Sequence, residues 1–162
     1  ILDIGCGNAQ ALFQLKQVIG ERLHTIGIDL LPPENPRMLD TFMPGDVHTM
    51  DLPPDCGLIL SFRCLHEMGN LSKLIPRIAH SLAPGGRAYL SIRLRDFLDG
   101  KPTFVGEMSG TEERVLKKLS QKSELEGCRV LGKPFIPAID PAFPAQDFVA
   151  GYQFLLFRPT IP

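Results

Sequence analysis

The chain has 162 residues, 44% hydrophobic and 22% charged, with a formal net charge of -1 and a pI near 6.5. That length buries a sizeable core, and the composition is that of a soluble globular domain. The balanced charge excludes the positive field that a phosphate backbone requires, and no apolar run approaches bilayer-spanning length, so neither nucleic acid nor a membrane is an expected partner.

The sequence opens at Ile1 within a short apolar run over residues 1–4, with no initiator Met. This start predicts a domain of a longer protein whose N-terminal helices precede it. The run reads as a buried strand that breaks into the turn Gly5-Cys6-Gly7-Asn8. Ala11, Leu12, Leu15, Val18 and Ile19 then recur at helical spacing, with Gly20 as the stop. A second strand covers residues 24–28 and ends at Asp29, and Pro32, Pro33 and Pro36 leave little room for a helix after it. A short third strand covers residues 41–43, before Pro44-Gly45-Asp46, and an apolar fourth strand covers residues 57–62.

Leu71, Leu74, Ile75, Ile78 and Leu82 form the inner face of the next helix. Pro84-Gly85-Gly86 is a sharp turn before a fifth strand at residues 87–92. Residues 96–110 read as a long loop whose Met and Phe side chains either line a pocket or pack the loop. Thr111 is placed to cap a helix running to about Glu126, with Val115, Leu116 and Leu119 inside. Strands over residues 129–135 and 152–157 close the chain, joined by a Pro-rich loop at residues 137–144. Alternating strands and helices imply a parallel sheet covered on both faces, and the two closing strands imply a hairpin with one antiparallel member. With no internal repeat, residues 1–162 read as one domain.

Cys6, Cys56, Cys64 and Cys128 form no Cys-x-x-Cys pair. They read as reduced thiols of a cytoplasmic protein, with no metal site expected.

The chemistry concentrates at strand ends. Asp3-Ile4-Gly5-Cys6-Gly7-Asn8-Ala9 ends the first strand and opens a helix, where glycines admit a ligand close to the backbone and amides point outward. In an open α/β sheet, ligands bind at this edge. A dinucleotide fingerprint, Gly-x-Gly-x-x-Gly, requires a third glycine where this chain has Gln10, so a nicotinamide cofactor is a distant alternative. Asp29 ends the second strand roughly twenty residues further on, the placement of a carboxylate that accepts both ribose hydroxyls. A plain helix-cap or loop Asp is the competing reading.

The first turn resembles the Asp/Glu-x-Gly-x-Gly-x-Gly motif of class I (Rossmann-like) S-adenosylmethionine-dependent methyltransferases, with Ala9 in place of the last glycine. Leu82-Ala83-Pro84-Gly85-Gly86 resembles the Leu-x-Pro-Gly-Gly turn before their fifth strand, and the resemblance extends from Ile1 to about Ile92. It implies a three-layer α/β sandwich with a seven-stranded, mostly parallel sheet of order 3-2-1-4-5-7-6, the last strand antiparallel. It implies S-adenosyl-L-methionine as cofactor, held by Asp3, Gly5, Cys6, Gly7, Asn8, Asp29, Leu30, Gly45, Asp46, Val47, Arg63 and Cys64. Within that set, Asp46 would accept a proton of the adenine amino group and Val47 would lie beside the ring.

Ser61-Phe62-Arg63-Cys64-Leu65-His66-Glu67-Met68 resembles the segment after strand four in small-molecule O-methyltransferases, where a His deprotonates the acceptor hydroxyl. Met68 stands where that family usually has Trp. The resemblance implies His66 as general base and Glu67 as its orienting partner, against a His66 that packs between helix and sheet. Cys64 reads as an apolar pocket wall. The expected reaction is methyl transfer to an oxygen, with nitrogen the second choice, of a small-molecule acceptor. Homodimerisation or a larger protein is the expected assembly context. The competing class is a non-catalytic methyltransferase-like module serving a partner. His24, His48 and His80 read as surface or loop residues, and Arg114, Lys117, Lys118 and Lys122 as a solvated helix face.

Overall fold

The computed structural model describes residues 1–20, 22–62, 64–98, 101–135 and 149–160. Strand β1 (Leu2–Ile4) leads through the glycine turn into helix α1 (Gln10–Ile19). Gly20, at φ 105°, ends that helix as the sequence predicts. β2 (Ile26–Asp29), a 3-10 turn (Pro36–Met38), β3 (Thr41–Pro44) and β4 (Cys56–Phe62) follow. Pro32, Pro33 and Pro36 interrupt the second crossover, so a single 3-10 turn stands where a full helix would otherwise lie. Helices α2 (Leu65–Met68) and α3 (Leu71–His80) precede the long strand β5 (Leu82–Arg93).

The Pro84-Gly85-Gly86 segment lies within β5, not before it. The pairing with β4 shifts register between Cys56 and Leu58 to accommodate it, which is the signature of a bulge. Residues 96–110, read above as a loop, contain most of a hairpin of β6 (Arg95–Leu98) and β7 (Lys101–Phe104). α4 (Gly110–Ser120) is capped by Ser109, not Thr111: the Ser109 hydroxyl accepts the Glu112 amide N–H at 3.3 Å. The helix stops at Ser120, well short of Glu126, because residues 124–125 form a strand, β8 (Glu124–Leu125), instead. β9 (Cys128–Phe135) and β10 (Gly151–Phe157) complete the order. The Pro-rich connection at residues 137–144 lies outside the described residues.

Among the described residues the main sheet has eight strands, in the order β3-β2-β1-β4-β5-β10-β9-β8. Its first seven members are the seven predicted strands in the predicted order, and β8 adds an unforeseen eighth at the edge. Two residues are too few for a period-2 pattern to declare itself, which is why β8 left no trace in the sequence. The pairs among β1 to β5 are parallel, and β10 is antiparallel to both β5 and β9.

Alternating side chains send two apolar sets to opposite faces. Leu2, Ile4, Ile28, Ile59, Leu90 and Phe154 pack with Leu74, Ile75 and Ile78 of α3 and Leu116 of α4. Leu60 packs with Cys6, Ala9 and Leu12 of the α1 side. At the far end from the glycine turn, Asp40 ties β2, β3 and α1 together. One of its oxygens accepts the Thr25 amide at 2.8 Å and the Thr25 hydroxyl at 2.9 Å, and the other accepts Lys16 Nζ at 2.6 Å. These donors, Lys16 foremost, hold the Asp40 carboxyl well below the usual carboxylate range. Among the described residues no helix is long and apolar enough to cross a membrane.

Candidate functional site

The carboxyl ends of β1, β2, β3 and β4 converge, and the loops leaving them enclose a cavity of about 410 Å³. That size lies within the ~300–1,000 Å³ range of small-molecule sites. The first turn is pinned across the sheet, since the amides of Gly5 and Cys6 both donate to the Ile28 carbonyl, at 2.8 and 3.1 Å. Gly5 sits at φ +73°, and a Cβ there would run into Sγ and Cβ of Cys64. Only glycine therefore closes this corner of the floor.

Asp29, at the end of β2, uses both oxygens on backbone. Oδ2 accepts the Gly7 amide at 2.8 Å, and Oδ1 accepts the Leu30 amide at 2.7 Å. The Asp29 carbonyl takes the Gly45 amide at 3.0 Å, which places the loop after β3 beside it. In that loop Asp46 Oδ1 accepts the His48 amide at 2.9 Å, and Val47 is buried. From β4, Ser61 and Cys64 both donate to the Ile4 carbonyl, at 3.0 and 3.1 Å, so the fourth loop is fastened to the first.

Seven of the predicted cofactor residues line the cavity: Gly5, Asp29, Leu30, Gly45, Asp46, Val47 and Cys64. Gly7 is beside it through its bond to Asp29. Asp3 is 4% exposed and lies beneath the turn, Cys6 packs on the α1 side, and Asn8 Oδ1 faces the Glu34 amide at 3.5 Å. None of these three contributes to the lining. Arg63 lies outside the described residues.

The two residues expected to be catalytic are placed differently relative to the cavity. Glu67 lines the cavity, whereas His66 is 5% exposed and does not. Nε2 of His66 meets Glu67 Oε1 at 3.1 Å, so the imidazole backs the carboxylate. The Gly106 region closes over this pair: a Cβ on Gly106 would meet the His66 carbonyl at 2.5 Å and Glu67 Oε2 at 2.7 Å. Three lining residues escaped sequence reasoning, namely Ile28, His48 and Met68. His48 Nε2 donates to the Met68 carbonyl at 3.0 Å, which assigns the tautomer, because a carbonyl only accepts. Its position two residues past Asp46 was the available signal.

Burial, followed by the charge of Asp29, pushes the Asp3 carboxyl up to about 7. Burial likewise pushes the Cys64 thiol up to about 11 and the Cys6 thiol up to about 12, so both stay protonated and unreactive at neutral pH. Among the described lining residues the ionisable side chains are Asp29, Asp46, Glu67, His48 and the Cys64 thiol, with no Lys or Arg. That set suits a ligand carrying positive charge, hydroxyl and amino groups. The pyrophosphate of a dinucleotide would meet three carboxylates and no cationic side chain among the described lining residues.

Comparison with known proteins bears on the family and the fold. A family model described as a methyltransferase domain matches residues 2–90. No curated protein sequence matches the chain. Among solved structures, the chain is similar to one in the complex between the Haloferax volcanii Trm112 methyltransferase activator and a methyltransferase (17% identity, TM-score 0.60, covering 99% of this chain and 82% of that one). It is similar to Haemonchus contortus phosphoethanolamine N-methyltransferase 2 in complex with S-adenosyl-L-methionine (15% identity, TM-score 0.63, 98% of this chain and 48% of that one). A third similar structure is the StiE O-methyltransferase, residues 961–1257 (14% identity, TM-score 0.60, 99% of this chain and 68% of that one).

Proposed function

The chain belongs to the methyltransferase domain family and has the class I S-adenosylmethionine-dependent methyltransferase fold; from that premise we propose that residues 1–162 form one domain that transfers a methyl group to an oxygen of a small-molecule acceptor. S-adenosylmethionine is the cofactor, and it supplies a methyl group already activated on a sulfonium. The observation that carries the reading is the convergence of Gly5, Asp29, Asp46, Val47 and Glu67 on one cavity with no cationic side chain among its described lining residues.

Each residue has a definable task. Gly5, without a side chain, leaves the floor open to a close backbone approach. Asp29 is fixed by the Gly7 and Leu30 amides, and its remaining lone pairs accept the ribose hydroxyls. Asp46 accepts from the adenine amino group, with Val47 against the ring. Arg63, from its place beside Cys64 in the sequence, belongs to the same proposed set, as do Asp3, Cys6 and Asn8 beneath and behind the turn.

Glu67 faces the acceptor and takes its hydroxyl proton, while His66 holds the carboxylate in position through Nε2. This exchanges the roles that the sequence alone suggested. Most of the protein's contribution is alignment: fixed walls bring acceptor and methyl together and lower the entropic part of the barrier. A second reading, a cofactor-binding module without turnover that serves a partner subunit, draws on the burial of His66 away from the cavity.

Titration calorimetry with S-adenosylhomocysteine, with NAD as control, tests the binding reading. Micromolar affinity for the first and none for the second is expected, and the absence of S-adenosylhomocysteine binding overturns it. Methyl transfer to a panel of small hydroxyl compounds then separates enzyme from module.

A further inference from the structure

Arg77 lies on α3, outside the cavity lining, yet its guanidinium is committed to one cavity wall. Nη1 donates to the Val47 carbonyl at 2.7 Å and to the His48 carbonyl at 3.1 Å, and Nη2 donates to the Met50 carbonyl. The same segment closes on itself through Asp46. The Asp46 carbonyl accepts the amides of Thr49 and Met50, at 3.0 and 3.1 Å, and its side chain accepts the amide of His48. On the opposite side His48 reaches Met68. Three carbonyls of the turn, those of Val47, His48 and Met50, therefore converge on one planar fork, whose donors have fixed mutual geometry.

We infer that Arg77 is a positioning residue for recognition of the adenine end of the cofactor, acting through the carbonyls of Val47, His48 and Met50. This rests on the reading that Asp46 meets the adenine amino group. The turn carries Asp46 and Val47 on the cavity side and is anchored from behind at the next residues along. A shift of the turn changes where the Asp46 carboxylate stands, and a hydrogen bond to one exocyclic amino group depends steeply on that position. Arg77 is not among the residues that line the cavity, so its action is indirect. A lysine at this position offers a compact ammonium on a flexible stem and cannot hold three carbonyls in one geometry.

The test compares S-adenosylhomocysteine with S-inosylhomocysteine, which has an oxo group in place of the adenine amino group. Calorimetry is run well below the melting temperatures of wild type and Arg77→Lys. Wild type should favour S-adenosylhomocysteine by about tenfold or more, the scale of one lost hydrogen bond to a charged group. Arg77→Lys should bring the two ligands to within about threefold, while affinity for the inosyl compound stays near wild type. A purely structural role lowers the melting temperature and leaves the ratio unchanged, and that result overturns the inference with the cofactor reading intact. Wild type that binds neither compound overturns the cofactor reading and this inference together. Wild type that binds both equally removes the adenine role of Asp46, and the inference with it. Where Arg77→Lys does not fold, Arg77→Gln, which keeps a single donor group, takes its place. If neither variant folds, Arg77 is a folding determinant and the proposal fails.

Discussion

Asp29 reaches from the end of β2 to accept the amide of Gly7 at 2.8 Å, joining the second strand to the glycine turn that follows the first. The bond sets the edge of the cavity before any ligand arrives, because Gly7 and Leu30 amides hold both carboxylate oxygens in place. Recognition and local structure therefore share one side chain.

Asp29→Ala should weaken S-adenosylhomocysteine binding by tenfold or more, since a charge-assisted acceptor contributes about 1.5–3 kcal/mol. The Gly7 amide also loses its partner, so a small fall in melting temperature accompanies the change. Calorimetry gives the first quantity and a thermal melt the second. Normal affinity in Asp29→Ala removes the ribose role.

Asp3 should make stability fall as pH rises. Its folded-state carboxyl is raised to about 7 from an ordinary 3.8, so below pH 4 both folded and unfolded chains hold the proton and no penalty exists. Between about pH 4 and 7 the unfolded chain ionises first, and stability drops through that window. Asp3→Asn should flatten this slope and raise the melting temperature at pH 8, each kcal/mol appearing as about 2–4 °C. An unchanged pH profile in Asp3→Asn contradicts the assignment.

Gly5→Ala and Gly7→Ala should separate conformational strain from crowding. Both glycines have positive φ, at +73° and +49°, so each alanine carries roughly 1–2 kcal/mol of left-handed strain. Only at Gly5 does the added Cβ collide, with Cys64; at Gly7 it meets nothing within 4 Å. Denaturant unfolding should show Gly5→Ala as the more damaging of the two. Equal losses would mean that Cys64 moves aside freely.

Glu67→Gln should lower methyl transfer by about 10²–10⁴ with cofactor affinity held, the usual weight of a general base. His66→Gln should give a smaller loss of turnover and a clear loss of stability, because the side chain it replaces is buried. The reverse ranking, with His66→Gln the more damaging to turnover, returns the base role to the histidine.

Much of this site was legible in the residues because its signals are local. Gly5 and Gly7 declare a turn with positive φ, Asp29 and Asp46 follow strand ends at short range, and the strands carry continuous apolar runs that mark a parallel sheet. Alternation with helices implied a parallel sheet, and the order of its seven main strands came from the family resemblance alone.

Other features depended on contacts between segments far apart in the chain. Whether His66 or Glu67 faces the cavity depends on how a four-residue helix rotates under the Gly106 loop, and adjacent residues on so short a helix point in different directions. His48 enters the site because its imidazole finds the Met68 carbonyl twenty residues away, and Arg77 matters because it finds three carbonyls some thirty residues upstream. By contrast, the hairpin β6–β7, a two-stranded sheet of its own, and β8, which pairs with β9 across the Glu126-Gly127 turn, are local pairings whose strands are too short for a period-2 pattern to declare itself. Sequence by itself determined which loops meet at the sheet edge. Tertiary packing decided which side chains those loops turn inward, since that depends on partners supplied by distant parts of the chain.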